Sequence, residues 1–363
     1  MREGPARPYP TPLRDRDLRC PANLADEGWG MSKDGIPATA SAANSQDRTE
    51  VRAARAWLSR AVEPGQAGVP RLVSRCGPVE ARRLLQAGLE PDDLIGPAAR
   101  RCREDRSAED LATAERLGVR LVTPEDDDWP ATGLQAMEAA VARGVSAIAL
   151  PLALWVRGSQ RIDEAMARAV AIVGARDATP YGVRVAADLA RGLVQRGWTV
   201  VSGGAYGIDG AAHRGALAVG ETTVAVLPSG LLSPYPAGHA RLFDRIAEAG
   251  LLVSEWPPDG APQWDHFVIR NRLIAALSSG VVVVEASKRS GVLSTVRWAL
   301  ELERPVMAVP GSVTSAQSAG CHRLLQQEGV RLVTCVEEVV EALDEARAYL
   351  SPLPTNRSPR HDR

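Results

Sequence analysis

The most constraining feature of the sequence is a regular alternation of short apolar runs and helical patterns between residues 169 and 347. The runs are rich in β-branched residues, which is typical of parallel strands that helices cover on both faces. Because crossovers between parallel strands are right-handed, the alternation predicts an α/β fold with a doubly wound, mostly parallel sheet. The predicted strands are AVAIVG (169–174), WTVVSG (198–203), TTVAVLP (222–228), LLVSE (251–255), VVVVEA (281–286), PVMAVP (305–310) and RLVT (331–334).

The same pattern divides the chain into four parts. Residues 1–48 are rich in Pro, Gly, Ala, Ser and charge without periodicity, and they predict a disordered extension. Residues 49–118 have helical spacing with a turn at Cys76-Gly77-Pro78, and they predict a small α-helical module. Residues 119–347 form the predicted sheet domain, and 348–363 predict a disordered tail. The module's predicted helices span 51–62, 78–88, 91–104 and 107–117.

Composition excludes several classes of protein. The 43 basic and 44 acidic side chains give a net charge of −1, so any surface for nucleic acid must be local. The five cysteines include no CxxC pair, which argues against a disulfide framework or a zinc site. No run approaches the roughly 18 apolar residues of a membrane span, and the N-terminus has no apolar signal core. We therefore expect a cytoplasmic protein without membrane, metal or cofactor.

In a doubly wound sheet, ligands bind where the carboxyl ends of the strands meet. The first loop at that edge is GARDATPYG, in which Gly174 permits close backbone approach and Arg176 projects. Thr179 can cap a helix that starts at Pro180, and the free N–H groups of such a helix suit an anion. An ordinary turn with an exposed arginine explains this spacing equally well.

The second loop, VSGGAYGIDGAAH, has three interpretations. Ser202 follows a strand, and Gly203 and Gly207 allow a sharp turn that could cradle a phosphate. Asp209 and His213 are one helical turn apart and could form a catalytic pair. The loop could also be a tight turn that binds nothing. Since no nucleophile elbow or metal spacing accompanies the pair, a structural Asp–His brace is favoured.

The third loop precedes a helix with an unusual start. Glu255 ends a strand, and Phe267, Arg270, Asn271 and Arg272 follow at the beginning of the next helix. Arginine and asparagine together offer multidentate donors for phosphates and base edges. The alternative, a helix surface with salt bridges, explains the R-N-R cluster poorly.

Two further loops reach the same edge. In the fourth, Glu285 ends a strand, and Ser290, Gly291 and Thr295 lead into a helix. The fifth is another Gly/Ser-rich helix approach and contains Gly311. Each loop alone is weak evidence, but five loops on one edge of a sheet predict a groove.

The order and spacing of IVGAR…YG, SGGAYGIDGAAH, PYP, SEWPPDG, FVIRNRLIAALS, VVVEA…SG and VPG resemble the DNA-processing protein A family, also called Smf. The match runs from about residue 170 to 333. The resemblance implies an extended Rossmann-like fold, no established catalytic activity, and binding of single-stranded DNA in a basic pocket. It also implies homodimers that protect incoming strands during natural transformation and help to load the recombinase RecA.

Together with the loops, the resemblance predicts two sets of residues. By motif position, Arg176 and the Arg270–Arg272 run correspond to the family's DNA-binding residues. The predicted DNA-binding set is Gly174, Arg176, Ser202, Gly203, Tyr206, Gly207, Phe267, Arg270, Asn271, Arg272, Ser290, Gly291 and Thr295. The predicted loop-support set is Asp209, His213, Glu255, Glu285 and Gly311.

The chain departs from the family pattern in several places. Tyr206 stands where the family usually has Arg or Lys, and we expect its ring to exchange a phosphate contact for a stacking or hydroxyl contact. The motif SGSLITA reads SGVLSTV, with Val292 and Ser294 changed, and His322 replaces a frequent Asn. The family's frequent C-terminal winged helix is expected to be absent.

Two rival functions remain open. Related Rossmann-like families cleave nucleoside monophosphates, and Glu255 or Glu285 beside Arg270 could form such a site. Those families usually carry a PGGxGT-like loop, to which SGGAYG is the nearest approach here. A protein-interaction scaffold is the third possibility, and it predicts no DNA retention at physiological salt.

Overall fold

A computed structural model describes residues 39–89, 104–145, 148–220 and 222–350. The helices are α1 (Thr39–Ala61), α2 (Gly68–Gln86), α3 (Ser107–Arg116), α4 (Ala131–Ala142), α5 (Ile162–Met166), α6 (Pro180–Val194), α7 (Ile208–Leu217), α8 (Ala240–Ala249), α9 (His266–Ala276), α10 (Val292–Glu301), α11 (Ala319–Leu325) and α12 (Val336–Leu350). The strands are β1 (Val119–Val122), β2 (Leu154–Arg157), β3 (Ala169–Val173), β4 (Thr199–Ser202), β5 (Thr223–Leu227), β6 (Leu251–Ser254), β7 (Val281–Val283), β8 (Val306–Ala308) and β9 (Val330–Leu332).

One sheet of nine strands organises the described chain, in the order β1-β2-β6-β5-β4-β3-β7-β8-β9. Strands β3 to β9 pair in parallel, while β1 and β2 add an antiparallel edge beside β6. The chain winds one way from β3 to β6 and then returns to place β7 on the other side of β3. This arrangement confirms the predicted α/β class with a doubly wound, mostly parallel sheet.

Burial on both faces explains why the strands lack polar alternation. In β3, Ala169, Ala171 and Val173 pack into the core beneath α4, α9 and α10. Val170 and Ile172 face the opposite core, which contains side chains of α6, α7 and α12. Successive strand residues point to opposite faces, so a strand covered on both sides must be apolar at every position.

The N-terminal part of the chain differs from its predicted boundaries. Helix α1 begins at Thr39, so residues 39–48 are helical where disorder was predicted. Alanine recurs in this stretch, and its high helix propensity extends the amphipathic helix that follows. The chain is non-helical at Gly77, with φ 78°, as the predicted turn requires. Residues 1–38 and most of the predicted helix at 91–104 lie outside the described residues, as does the tail beyond 350.

Helix α1 is joined to the sheet by a shared core. Ala56 is fully buried in one cluster with Trp155 of β2. The Trp155 Nε1–H donates to Ser59 Oγ at 3.3 Å, and the guanidinium of Arg55 donates to Glu125 and to the Leu152 carbonyl. The predicted helical module is thus in direct contact with the sheet domain through buried side chains.

The buried contact between Trp155 and Ser59 predicts a measurable loss of stability. Ser59→Ala leaves the indole N–H without an acceptor, and we expect the free energy of unfolding to fall by about 1–3 kcal/mol. Ser74→Ala is the matched control, because the exposed Ser74 makes the same hydroxyl bond to the carbonyl three residues earlier. The control should change stability by less than about 0.5 kcal/mol in urea denaturation. Equal losses would contradict a specific role for the Trp155 contact.

Candidate nucleic-acid interface

A cleft of about 580 Å³ opens where β3 and β7 lie side by side. The winding of the chain reverses between these two strands, and such a switch point is where doubly wound sheets bind ligands. The cleft brings together residues from the first four predicted loops. The predicted site residues that line it are Gly174, Arg176, Asp209, Phe267, Arg270, Asn271, Ser290, Gly291 and Thr295.

The first glycine loop is closed by a carboxylate of the protein itself. Glu285 accepts the Thr179 N–H at 2.8 Å and the Thr179 hydroxyl at 2.6 Å. A Cβ at Gly182 would come within 2.3 Å of the same carboxylate, so a larger residue there would displace Glu285. The N–H groups at the start of α6 were predicted to suit an anion, and two amides there already have acceptors within the protein. Glu285 accepts the N–H of the capping residue Thr179, and Thr179 Oγ1 accepts the Gly182 N–H at 3.2 Å.

The second glycine loop is closed in the same way. Asp209 Oδ2 accepts the N–H groups of Gly203 at 3.1 Å and Ala205 at 3.3 Å. Burial raises the pKa of Asp209, and the nearby charge of Arg270 opposes that rise. Gly207 has φ 75°, and a Cβ there would meet the Ala175 carbonyl at 2.2 Å. The two glycine loops therefore pack directly on each other, and the amides of Thr179, Gly203 and Ala205 have carboxylate acceptors within the protein.

His213 does not pair with Asp209, which corrects the predicted Asp–His brace. Its Nδ1–H donates to Thr223 Oγ1 at 2.8 Å, and that hydroxyl donates to the Val200 carbonyl. The ring is fully buried, and burial lowers the pKa of His213 to about 3. Asp209 braces the loop, whereas His213 faces β5 and joins α7 to the sheet.

Several predicted DNA contacts lie away from the cleft surface. Ser202 is buried and its hydroxyl donates to the Ile172 carbonyl at 2.6 Å. Gly203 lies against Arg270, where a Cβ would approach the guanidinium at 2.7 Å. Tyr206 is 48% exposed, but its ring packs edge-to-face on His239 at 4.7 Å and does not line the cleft. The expected exchange of a phosphate contact for a Tyr206 contact is therefore not supported by its position.

Helix α9 places Arg270 and Asn271 at the bottom of the cleft. The Arg270 guanidinium donates to the carbonyls of Gly203 and Val226, and burial lowers the pKa of Arg270 to about 10. Asn271 accepts from Arg270 Nε at 3.2 Å and donates to Ser294 Oγ at 2.7 Å. These bonds fix both side chains before any ligand arrives.

Arg272 was predicted to bind DNA, but it is a core residue. Its guanidinium donates to both carboxylate oxygens of Glu255, at 2.5 and 2.7 Å, and both side chains are buried. Two residues along a helix is a rotation of about 200°, so Arg270 and Arg272 point to opposite faces of α9. The R-N-R motif therefore divides between the cleft and the core.

The solvent-exposed part of the cleft combines cations with aromatic rings. The Arg176 guanidinium lies 4.9 Å from the centroid of the Phe267 ring, and Tyr235 packs edge-to-face on that ring at 5.4 Å. Trp264 is 87% exposed at the mouth of the cleft, and Arg289 contributes a second exposed cation. Sequence reasoning missed Tyr235, Trp264 and Arg289. The rarity of aromatic residues, 4% of the chain, is the signal that could have found the first two.

Of the remaining predicted residues, Thr295 and Gly291 border the cleft and Gly311 lies outside it. Thr295 is buried in α10 although it borders the cleft, and Gly291 at the helix start is exposed. Gly311 lies outside the cleft, where its carbonyl accepts the His322 Nε2–H at 3.0 Å. A Cβ at Gly311 would meet Ser318 Oγ at 2.2 Å.

Within the described ranges, no group of three or more His, Cys, Asp or Glu side chains is arranged to hold a metal ion. In that same part of the chain, none of the helices is both long and apolar enough to cross a bilayer.

The buried Glu255–Arg272 pair predicts that removal of Arg272 lowers the stability of the fold strongly, and that a second substitution at Glu255 restores it. Arg272→Met leaves the buried Glu255 carboxylate without its ion-pair partner. We expect this change to lower the free energy of unfolding by about 3–5 kcal/mol. Adding Glu255→Leu should restore most of that loss, because two apolar side chains replace the pair. The exposed pair Arg331–Glu345, at 2.5 Å, is the control, and Arg331→Met should cost about 1 kcal/mol or less. Similar costs at the two sites would show that Arg272 is not held as a buried ion.

Burial of His213 predicts a pH dependence of stability. The unfolded chain protonates this ring near pH 6.5, whereas the folded protein does so only near pH 3. Between pH 6.5 and 3, the ring is protonated in the unfolded chain and neutral in the folded protein. The free energy of unfolding therefore decreases by about 1.4 kcal/mol for each unit that the pH falls in this range. His213→Gln should remove this part of the slope, while His322→Gln, at a partly exposed ring, should leave it. Urea denaturation between pH 7 and 4 is the measurement, and an unchanged slope in His213→Gln would contradict the assignment.

Comparison with known proteins identifies the family of the chain. The sequence profile of DNA recombination-mediator protein A matches residues 120–344. A DNA-processing DprA relative from Mycobacterium tuberculosis is 50% identical over 290 residues, which cover 79% of this chain and 74% of the relative. The DNA processing protein DprA of Bacillus subtilis is 38% identical over 203 residues, covering 56% and 68% of the two chains.

A solved structure extends the match to the fold. The X-ray structure of DNA processing protein A from Streptococcus pneumoniae has 31% identity and a TM-score of 0.63. The alignment covers 78% of this chain and 95% of that one. The chain therefore belongs to the DNA recombination-mediator protein A family, whose members are also called DprA and Smf.

Proposed function

We propose that the protein binds single-stranded DNA in the cleft between β3 and β7 and does no chemistry there. The observation that supports this function best is the combination of Arg176, Phe267 and Trp264 at one solvent-open surface. Single-strand binding proteins pair a cationic groove for the phosphates with aromatic rings for the bases. The positive charge of Arg176 is unopposed by any carboxylate within ion-pair distance among the described residues, although the chain as a whole is slightly acidic.

The enzyme alternative is less well supported by the same contacts. Glycosidase-like chemistry needs a carboxylate that is free to act on a nucleotide, but Glu255 is bound to Arg272 and Glu285 to Thr179. Asp209 lines the cleft, yet its Oδ2 is engaged by two amides. Asp177, at the rim, accepts from Gln317 Nε2. Incubation with nucleoside monophosphates should release no free base; turnover that disappears in Glu285→Gln would favour the enzyme.

The finer parts of the proposal concern the biological setting. We infer that the protein protects incoming single strands and helps to load RecA during natural transformation, as a cytoplasmic homodimer. Family membership and the similarity to DNA processing proteins of Bacillus subtilis and Streptococcus pneumoniae support these points. They can be tested by the solution mass of the protein, by nuclease protection of bound oligonucleotides, and by RecA filament formation with and without the protein.

Removal of Arg176 should weaken binding to all sequences alike. Arg176→Gln is expected to reduce affinity for an oligothymidylate and to lower the slope of log K against log salt by about 0.7, one phosphate contact for a single strand. Arg191→Gln makes the same change of charge outside the cleft, where Arg191 pairs with Asp188, and it should leave the slope unchanged. Fluorescence anisotropy from 50 to 300 mM salt provides the measurement.

Two outcomes would count against the proposed site. Equal slopes for the two variants and the parent protein would show that Arg176 does not face phosphate. Stronger retention of duplex than of single strands in a gel-shift comparison would contradict the proposed ligand itself.

A further inference from the structure

The two rims of the cleft differ in chemistry. Tyr235, from the loop after β5, and Trp264 and Phe267, from the segment after β6, form an aromatic rim. Arg289 and Ser290, from the loop after β7, form a polar rim with one exposed cation. A ligand that lies between the rims therefore meets aromatic rings and the Arg176 guanidinium on one side, and the Arg289 guanidinium with the Ser290 hydroxyl on the other.

Trp264 is the most unusual residue of the aromatic rim. It is 87% exposed, whereas Trp57, Trp155, Trp198, Trp256 and Trp298 are all at least nine-tenths buried. Within the described part of the chain, its ring enters no cation–π or aromatic pair. Large aromatic side chains contribute to stability by burial, and Trp264 contributes little of that kind to the free protein. Its placement at the mouth of a cleft points to a ring that is covered by a ligand.

The closed glycine loops limit where a phosphate can lie. The carboxylates of Glu285 and Asp209 already accept the N–H groups that would otherwise bind an anion. A phosphate beside those carboxylates would be repelled by their charge, and it would find the amides of Thr179, Gly203 and Ala205 already bonded. Two exposed guanidinium groups remain for the phosphates: Arg176, which lies over the Phe267 ring, and Arg289 on the polar rim.

From these observations we propose that Trp264 stacks on an unpaired base and thereby makes the cleft select single strands over duplex. The inference rests on the proposed function and names the residue that gives it specificity. In a duplex each base face is covered by its neighbours, so only an unpaired base offers a free face to an indole ring. The phosphates then follow Arg176 and Arg289, which are indifferent to base pairing.

The test separates contact with bases from contact with phosphates. The dissociation constant is measured for an oligothymidylate, for an abasic strand of the same length and for a duplex, with the full-length protein. The variants are Trp264→Ala, the conservative Trp264→Phe, and Arg289→Gln. Val313→Ala is the control, because Val313 is 89% exposed and lies outside the cleft.

Trp264→Ala should weaken oligothymidylate binding roughly ten- to a hundred-fold, the range for one stacked base. The same variant should bind the abasic strand and the duplex with unchanged affinity and should keep the salt slope. The ratio of single-strand to duplex affinity therefore falls by the same factor. Trp264→Phe should keep most of the affinity, and Val313→Ala all of it. Arg289→Gln should weaken normal and abasic strands equally and lower the salt slope by about 0.7.

The inference is overturned if Trp264→Ala binds the oligothymidylate as the parent protein does, or loses affinity equally for normal and abasic strands. In both cases the parent protein still binds single strands, so the proposed function stands without the stacking residue. Failure of the parent protein to bind any single strand would instead overturn the proposed function and the inference together.

Discussion

Two buried carboxylates determine the shape of the cleft. Glu285 fixes the start of α6 through Thr179, and Asp209 fixes the second glycine loop through the amides of Gly203 and Ala205. Each satisfies backbone N–H groups that would be costly to leave unbonded in a water-poor site. With both loops held, Gly207 can pack against the Ala175 carbonyl and the floor of the cleft becomes a fixed surface.

This arrangement changes how the glycine-rich sequence is understood. Glycine loops before helices commonly bind phosphates, because free amides and the helix dipole attract anions. Here the protein supplies the anions itself, and the glycines serve close packing between loops. The charge available to a ligand comes instead from side chains on the rims, Arg176 and Arg289, which remain solvent-exposed.

Helix α9 connects the cleft to the rest of the molecule. One side carries Phe267, Arg270 and Asn271 to the cleft, and the other buries Arg272 against Glu255. The Nε2 atom of its first residue, His266, lies 2.8 Å from Glu63 Oε1. Glu63 follows α1 and also accepts the Trp256 Nε1–H. The segment between α1 and α2 therefore contacts the N-terminal end of the same helix that lines the cleft.

The sequence by itself determined the strand and helix alternation, the edge of the sheet that carries the loops, and the family, because apolar periodicity and motif spacing are local properties of the chain. It did not determine which polar side chains stay free. The Glu285–Thr179 bond joins residues 106 positions apart, and the Glu255–Arg272 pair depends on which face of α9 meets the core. Only the tertiary structure decided that Arg272, Ser202 and the amides of Gly203 and Ala205 bond to other groups of the protein. It also decided that Arg176, Phe267 and Trp264 share a solvent-exposed surface. Burial of a polar group depends on what packs over it, and that is set by long-range contacts rather than by neighbours in sequence.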